Sequence, residues 1–198
     1  MNFNIKYPFD QESCRQMGHH RIATAFVLEH IVRSNKLNYA IAECGVSRGH
    51  NLIVMDKVLK GNGFNNKIYA FDTFNGLPYE ENTLKKHECC CSLEDFEKNL
   101  KEAGVDRVIP VKGLVEDTLE KFKNVLFGFV FLDMDLGKST KFAVDFFEKS
   151  VIVGGIIGFH DYGFERTLEI KPIVDGLDKT KWKQFGPILG NAIFFERL

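Results

Sequence analysis

The stretch Phe129-Val130-Phe131-Leu132-Asp133-Met134-Asp135-Leu136 is an apolar run that ends in two carboxylates. Phe129 to Leu132 read as a strand buried on both faces, the kind found inside parallel sheets, and such a strand tolerates an acid only for a reason. Acids at its carboxyl end lie at the sheet edge where open α/β folds take their ligands. A second apolar run, Gly155 to Phe159, ends the same way in His160-Asp161. Two strand ends that each deliver metal-capable side chains suggest a divalent-ion site or an acid–base site. One such Asp alone reads more readily as a helix cap; the pair of strand ends favours function.

Upstream of this run, Asn38 to Cys44 reads as a short buried strand, followed by Gly45-Val46-Ser47-Arg48-Gly49. A helix continues from Asn51 to Leu59 and stops at Lys60-Gly61-Asn62-Gly63, a C-cap-like turn. Ile68 to Phe71 is a strand closing on Asp72, and Ser92-Leu93-Glu94-Asp95 carries the capping pattern of a helix reaching about Ala103. Val108 to Val111 is a third strand and Asp117 to Phe122 a short helix. Farther on come the Phe127–Leu132 strand, a Lys141–Phe147 helix and an Ile152–Phe159 strand. Before all of these, Gln11 to Ser34 carries Ile22, Ala25, Phe26, Leu28, Ile31 and Val32 at helical spacing, which predicts an amphipathic helix. After them, Thr167 to Leu177 predicts a helix bent or broken near Pro172. Trp182 to Ile188 and Ala192 to Glu196, around Gly190-Asn191, read as a β-hairpin, with Trp182 a packing anchor.

Strands alternating with helices imply an α/β fold, a mainly parallel sheet with helices on both faces. A dinucleotide-binding domain would continue βαβ. A final antiparallel strand marks instead, by architectural analogy, the Rossmann-like sheet of class I methyltransferases. The expectation is one domain over residues 1–198, with an N-terminal helix at about 11–34, a core at about 39–163, and a C-terminal helix and hairpin at about 167–197.

With 198 residues the chain is long enough to bury about 70% of its unfolded surface without disulfides or metal staples. Its 26 basic and 27 acidic residues leave no basic footprint for nucleic acid and no polybasic membrane anchor. Nothing approaches a membrane span, and the first residues lack a signal-peptide core. Five cysteines is an odd count, and Cys89-Cys90-Cys91 are consecutive, so a reducing cytoplasm is expected. The triplet follows His87 but lacks the paired C-x-x-C clusters of structural zinc sites, and reads as a loop of small packing thiols.

Glu43-x-Gly45-x-x-x-Gly49 follows the first strand and opens a helix. Glycines there let the backbone turn tightly and approach a ligand at which helix N–H groups point. The spacing differs from the G-x-G-x-x-G of nicotinamide enzymes, and Ser47 breaks it. Asp72, at the end of the second strand, can accept hydrogen bonds from both ribose hydroxyls of an adenosine, or can cap the following turn. Loop and acid together favour S-adenosylmethionine, which needs no pyrophosphate cradle.

On these residues the chain resembles the macrocin O-methyltransferase (TylF-like) family of class I methyltransferases, which methylate sugar hydroxyls of antibiotics and related glycosides. The resemblance runs from Ala42 to Gly163 and rests on Ala42 to Gly49, Tyr69 to Pro78, Val111-Lys112-Gly113 with Asp117-Thr118-Leu119, Phe131 to Leu136, and Gly154-Gly155 to Gly163. It implies cofactor contacts at Glu43, Gly45, Val46, Gly49, Asn51, Asp72, Thr73, Phe74, Gly113 and Asp133. It further implies Mg²⁺, or Mn²⁺, at Asp133, His160 and Asp161, with Asp135 as general base. His160 departs from the family, which usually has Asp there; imidazole is a softer ligand that favours Mn²⁺ or another transition ion. The chain is also shorter than the antibiotic enzymes, leaving less of it to wrap a large acceptor. A sugar or glycoside acceptor and a homo-oligomer are the expected partners.

The chemistry is consistent without the family. An alcohol, with a pKa of ~16 like water, is a poor nucleophile, and a cation with a nearby carboxylate overcomes this. Asp133 and Asp135, two apart at a strand end, are expected to share one face. Two other classes compete. A catechol-type metal-dependent O-methyltransferase usually has Lys where Leu136 stands, and a non-catalytic S-adenosylmethionine-binding partner has no need of Asp135.

Overall fold

The computed structural model describes residues 19–33, 39–186, 188 and 190–198. Among them, seven strands form one sheet: β1 (Ala40–Cys44), β2 (Ile68–Asp72), β3 (Val108–Lys112), β4 (Phe127–Leu132), β5 (Val151–Phe159), β6 (Trp182–Gln184) and β7 (Ile193–Arg197). Their order is β3-β2-β1-β4-β5-β7-β6. The first five are parallel, and β7 runs antiparallel to both β5 and β6. The chain steps from β1 toward one edge and from β4 toward the other. The strand order therefore reverses between β1 and β4, where a crevice opens at their carboxyl ends.

Alternation along the strands divides the core into two layers. Ile41, Phe129 and Phe131 face a cluster that includes Leu28, Leu52, Met55 and Phe96 from α1 (His19–Arg33), α2 (His50–Gly61) and α3 (Leu93–Glu102). Ala42, Val130 and Leu132 face the other way, onto Val115, Leu119, Phe147 and Val174. These come from α4 (Val115–Thr118), a 3₁₀ turn (Leu119–Phe122), α5 (Gly137–Ser150) and α6 (Ile170–Asp175). All of β4 is buried, which explains why its sequence is apolar without alternation.

Several sequence expectations need correction. In α1 the residues Ala23, Ala25, Val27 and Leu28 are buried, but Phe26 is 47% exposed and lies off the apolar face. The predicted stretches 11–18 and 34 lie outside the described residues. Helix α6 is shorter than predicted, and Pro172 occupies its first turn, where the missing N–H has no intrahelical partner to lose; the proline does not break it. Helix α5 starts at Gly137, four residues early, because Gly137, Ser139 and Thr140 are buried although not apolar. Ser92 does cap α3, its Oγ accepting the Asp95 N–H at 3.1 Å. A buried ion pair had no sequence signal: Asp56, 2% exposed, meets Arg107 at 2.7 Å and ties α2 to the entry of β3.

Candidate active site

Backbone hydrogen bonds continue the sheet one residue past several strand ends. Gly45 N–H donates to Phe71 O at 2.9 Å, Asp133 N–H to Cys44 O at 2.8 Å, and His160 N–H to Leu132 O at 2.9 Å. Together with the register, this sets Asp72, Gly45, Asp133 and His160 in one row along the carboxyl edge, spanning β2, β1, β4 and β5. Gly45 is required there twice over. Its φ is 80°, and a Cβ would sit 1.9 Å from the Asp133 carbonyl oxygen.

Of the two roles the sequence allowed for this strand-end acid, the cap is the one that the structure displays for Asp72. Its Oδ2 accepts the N–H groups of Val46 (2.8 Å) and Ser47 (3.1 Å), and its Oδ1 accepts that of Phe74 (2.8 Å). It thus caps the following turn and holds the glycine loop against β2. Two carboxylate oxygens offer about four acceptor directions, so room remains for a ligand hydroxyl. Asp72 also lines a cavity together with Gly45, Thr73, Gly113 and Asp133.

Two further residues of this cavity carried no sequence signal: Ser139 Oγ donates to Glu116 Oε1 at 3.0 Å, while Glu116 Oε2 is buried without a partner. Gly49 and Phe74 do not reach the cavity. Gly49, at φ 81°, packs behind the loop against Phe96, and the Phe74 ring packs on Phe96 tilted by 54°, with centroids 5.0 Å apart.

A second opening, on the α1 side of the loop, is lined by Glu43, Val46 and Asn51 and shares Gly45, Asp133 and Asp135 with the first. Glu43 is 2% exposed and accepts the Asn51 amide at 2.9 Å. Burial pushes its pKa well above the usual carboxylate range, against the opposing hydrogen bond from Asn51.

Asp133, His160 and Asp161 offer ligand atoms that all lie within 4.8 Å of one another; among the described residues this is the cluster with metal-holding geometry. His87 and Cys89–Cys91 form none, and His87 Nδ1 instead lies 3.0 Å from the Asn75 carbonyl. His160 Nδ1 stands 2.9 Å from Asp133 Oδ1 and 2.9 Å from Asp161 Oδ1. Burial disfavours charge on this imidazole, but the hydrogen bonds to Asp133 and Asp161 outweigh it and raise its pKa to about 10. The side chain is therefore a shared cation between two acids, where the sequence suggested a neutral ligand. To serve a metal it must give up that proton. Two carboxylates and an imidazole within this span fit a divalent ion of the Mg²⁺ or Mn²⁺ type.

Asp135 joins the cluster by a route the sequence did not predict. β4 ends at Leu132, and Leu136 N–H donates to Met134 O at 2.7 Å around Asp135, whose φ is 63°. This is a γ-turn, a strained conformation, and not the strand alternation expected for residues two apart. Burial first, then the Asp133 and Asp161 carboxylates, push the Asp135 pKa up to about 8. Asp161 likewise has a positive φ of 59°. Asp is among the residues that best tolerate that region.

A mainly parallel sheet of this order, closed by an antiparallel hairpin and carrying a glycine loop and an acid at the ends of β1 and β2, defines a class I methyltransferase. A family model narrows the class: the chain belongs to the macrocin-O-methyltransferase (TylF) family, whose model matches residues 11–173. It is an S-adenosylmethionine-dependent O-methyltransferase. Among solved structures it is similar to the O-methyltransferase NovP, with a TM-score of 0.70 and 20% identity over 89% of this chain and 80% of the other. The calicheamicin methyltransferase CalS11 gives 0.74 and 16% over 96% and 87%. An O-methyltransferase from Bacillus cereus in complex with SAH gives 0.62 and 15% over 89% and 80%. No curated protein matches the chain by sequence. Among the described residues, no helix is long and apolar enough to cross a membrane.

Proposed function

We propose that the chain methylates a hydroxyl of a sugar or glycoside, with a divalent cation, Mg²⁺ or Mn²⁺, held by Asp133, His160 and Asp161. The observation that carries this reading is the 4.8 Å cluster of ligand atoms standing beside Asp135 at the carboxyl ends of β4 and β5. S-adenosylmethionine supplies an electrophilic methyl group, and the cation lowers the pKa of the acceptor hydroxyl and orients it.

The chain's own residues do the rest. Asp72 keeps the loop of Val46 and Ser47 in place and has acceptor capacity left for one ribose hydroxyl. Gly45, Thr73 and Gly113 border the nucleoside, and Asn51 orients Glu43 in the adjoining opening. Gly49 and Phe74 act indirectly, by packing under the loop. Asp135, in its ionised form, takes the proton from the acceptor hydroxyl; its burial beside Asp133 and Asp161 makes it a stronger base than an ordinary carboxylate.

The sugar acceptor is supported by the family and by CalS11, which is described as a TDP-rhamnose 3′-O-methyltransferase. The free thiols of Cys44, Cys89, Cys90 and Cys91 support a reducing, cytoplasmic setting. Transfer of labelled methyl to a panel of nucleotide sugars, glycosides and catechols tests the reading. Methylation of a sugar hydroxyl is expected, lost in EDTA and restored by Mg²⁺ or Mn²⁺. Full activity in EDTA contradicts the metal, and methylation of catechols alone contradicts the acceptor.

A further inference from the structure

Asp135 holds a strained backbone, with φ 63° and a 2.7 Å bond from Leu136 N–H to Met134 O closing the turn around it. Such a conformation persists only where its surroundings over-determine it. On the N-terminal side, Asp133 N–H is tied to Cys44 O of β1 at 2.8 Å. On the C-terminal side, α5 begins at Gly137 and its N-cap is Leu136, whose side chain has no oxygen to accept a hydrogen bond. The first turn of α5 carries no acid either. The missing cap comes from 56 positions away, where Glu81 Oε1 accepts Gly137 N–H at 2.6 Å. A carboxylate is well suited to a helix N-terminus, whose free N–H groups carry partial positive charge.

The grip is wider than one bond. Leu136, the neighbour of Asp135, is buried with Leu77 and Leu84, and Tyr79 packs against them. Glu81 and Leu84 exchange backbone hydrogen bonds of 3.3 and 2.9 Å, which draw them into one turn. Asn82 of that turn donates to Glu169 Oε2, and Glu169 lies so close to Gly137 that a Cβ there would run into its Cβ and Cγ. Glycine at 137 therefore lets Glu169, the residue before α6, close on the start of α5 together with the Glu81 turn. Neither Glu81 nor Gly137 lines the cavity or the opening beside it, so an effect of Glu81 on the reaction passes through the backbone of residues 135–137. We propose that Glu81 is a positioning residue: by capping α5 at Gly137 it fixes the turn that aims the Asp135 carboxylate at the acceptor hydroxyl. This rests on the reading of Asp135 as the general base.

Glu81→Ala, Glu81→Gln, Asp135→Asn and the Ala–Asn double variant test it. Single-turnover transfer is measured to the sugar acceptor methylated fastest in the panel above, and S-adenosylhomocysteine and Mn²⁺ affinities by calorimetry. Glu81→Ala should slow transfer about 10- to 100-fold, the effect of a misplaced group, with both affinities within a few-fold of wild type. Its Leu136 and Gly137 amides should exchange with solvent about fivefold or more faster, as in a helix that has lost its cap. Glu81→Gln, whose amide oxygen still accepts the Gly137 N–H, should recover most of the rate. In the Asp135→Asn background Glu81→Ala should add little, because residues that act as one unit are not additive. The assignment is overturned, while Asp135 stands, by a Glu81→Ala rate or Leu136 exchange equal to wild type, or by a Gln variant as slow as Ala. Equal loss of rate and of both affinities, or the full Glu81→Ala loss persisting in Asp135→Asn, overturns it too. Asp135→Asn alone at the wild-type rate overturns the base and the assignment with it.

Discussion

Asp133 and His160 follow directly on Leu132 and Phe159, which pair across β4 and β5, and their side chains meet with Oδ1 and Nδ1 2.9 Å apart. Adjacent parallel strands ending at one level are what bring these two groups together, so their meeting is a property of the sheet register and not of a flexible loop. The same register carries Asp72 two strands away, which fixes the spacing between the cavity that Asp72 lines and the acid cluster.

In the proposed cation site, His160 is the ligand that would set the metal preference. Replacing imidazole by a third carboxylate gives a harder, more negative donor set. His160→Asp should therefore tighten Mg²⁺ binding about tenfold or more and narrow the gap between Mg²⁺ and Mn²⁺, measured by calorimetry. An unchanged Mg²⁺ affinity would remove His160 from the ligand set.

Asp72→Ala should reduce affinity for S-adenosylhomocysteine by about 1–3 kcal/mol through the lost acceptor bonds. The amides of Val46, Ser47 and Phe74 should also exchange faster with solvent, because each donates to this carboxylate. Hydrogen exchange and calorimetry on the same variant check both; wild-type affinity with a loosened loop would confine Asp72 to a capping role.

Gly45→Ala forces a Cβ toward the Asp133 carbonyl in a backbone conformation with φ 80°. Strain of about 1–3 kcal/mol is expected, together with displacement of the β4 end. Denaturant unfolding should show the lost stability and Mn²⁺ titration a weakened site. A variant as stable as wild type would contradict the tight approach of the two strand ends.

Asp135→Asn keeps the shape of the γ-turn residue but removes the base. Affinities for S-adenosylhomocysteine and Mn²⁺ should stay within a few-fold, while the chemical step slows by ~10²–10⁴-fold. Single-turnover kinetics with an active acceptor decide it, and a variant within a few-fold of wild type ends the assignment.

Away from the site, Arg107→Met leaves Asp56 buried without its 2.7 Å partner. Breaking a buried pair costs about 3–5 kcal/mol, and the low end is expected because Lys60 stays 3.1 Å from the same carboxylate. Urea unfolding measures it. A loss well under 1 kcal/mol would mean the pair is effectively solvated.

Much of this architecture was legible in the chain because buried parallel strands are apolar runs and their ends are marked by polar residues. Phe127–Leu132 followed by Asp133, and Ile68–Phe71 followed by Asp72, are cases in which one dimension of sequence fixes position in the sheet. Asp135 was expected in the cleft for a different reason. Alternation holds only while the strand lasts, and it ends at Leu132, so a γ-turn does the work. Glu116 and Ser139 were not legible at all. Each reaches the cavity from an element whose own periodicity says nothing about which polar residue faces inward, and they meet across 23 positions of sequence. Phe26 fails in the opposite sense, an aromatic at helical spacing that faces solvent.

The central claim is that a divalent cation held by Asp133, His160 and Asp161 lies next to the transferable methyl group. It is tested most directly by ¹³C NMR of S-adenosylmethionine labelled in that methyl, bound to the protein with Mn²⁺ added in place of Mg²⁺. The account predicts severe paramagnetic broadening of the methyl resonance, reversed by EDTA and lost in Asp133→Ala. A bound methyl signal that stays sharp in the presence of saturating Mn²⁺ would contradict it.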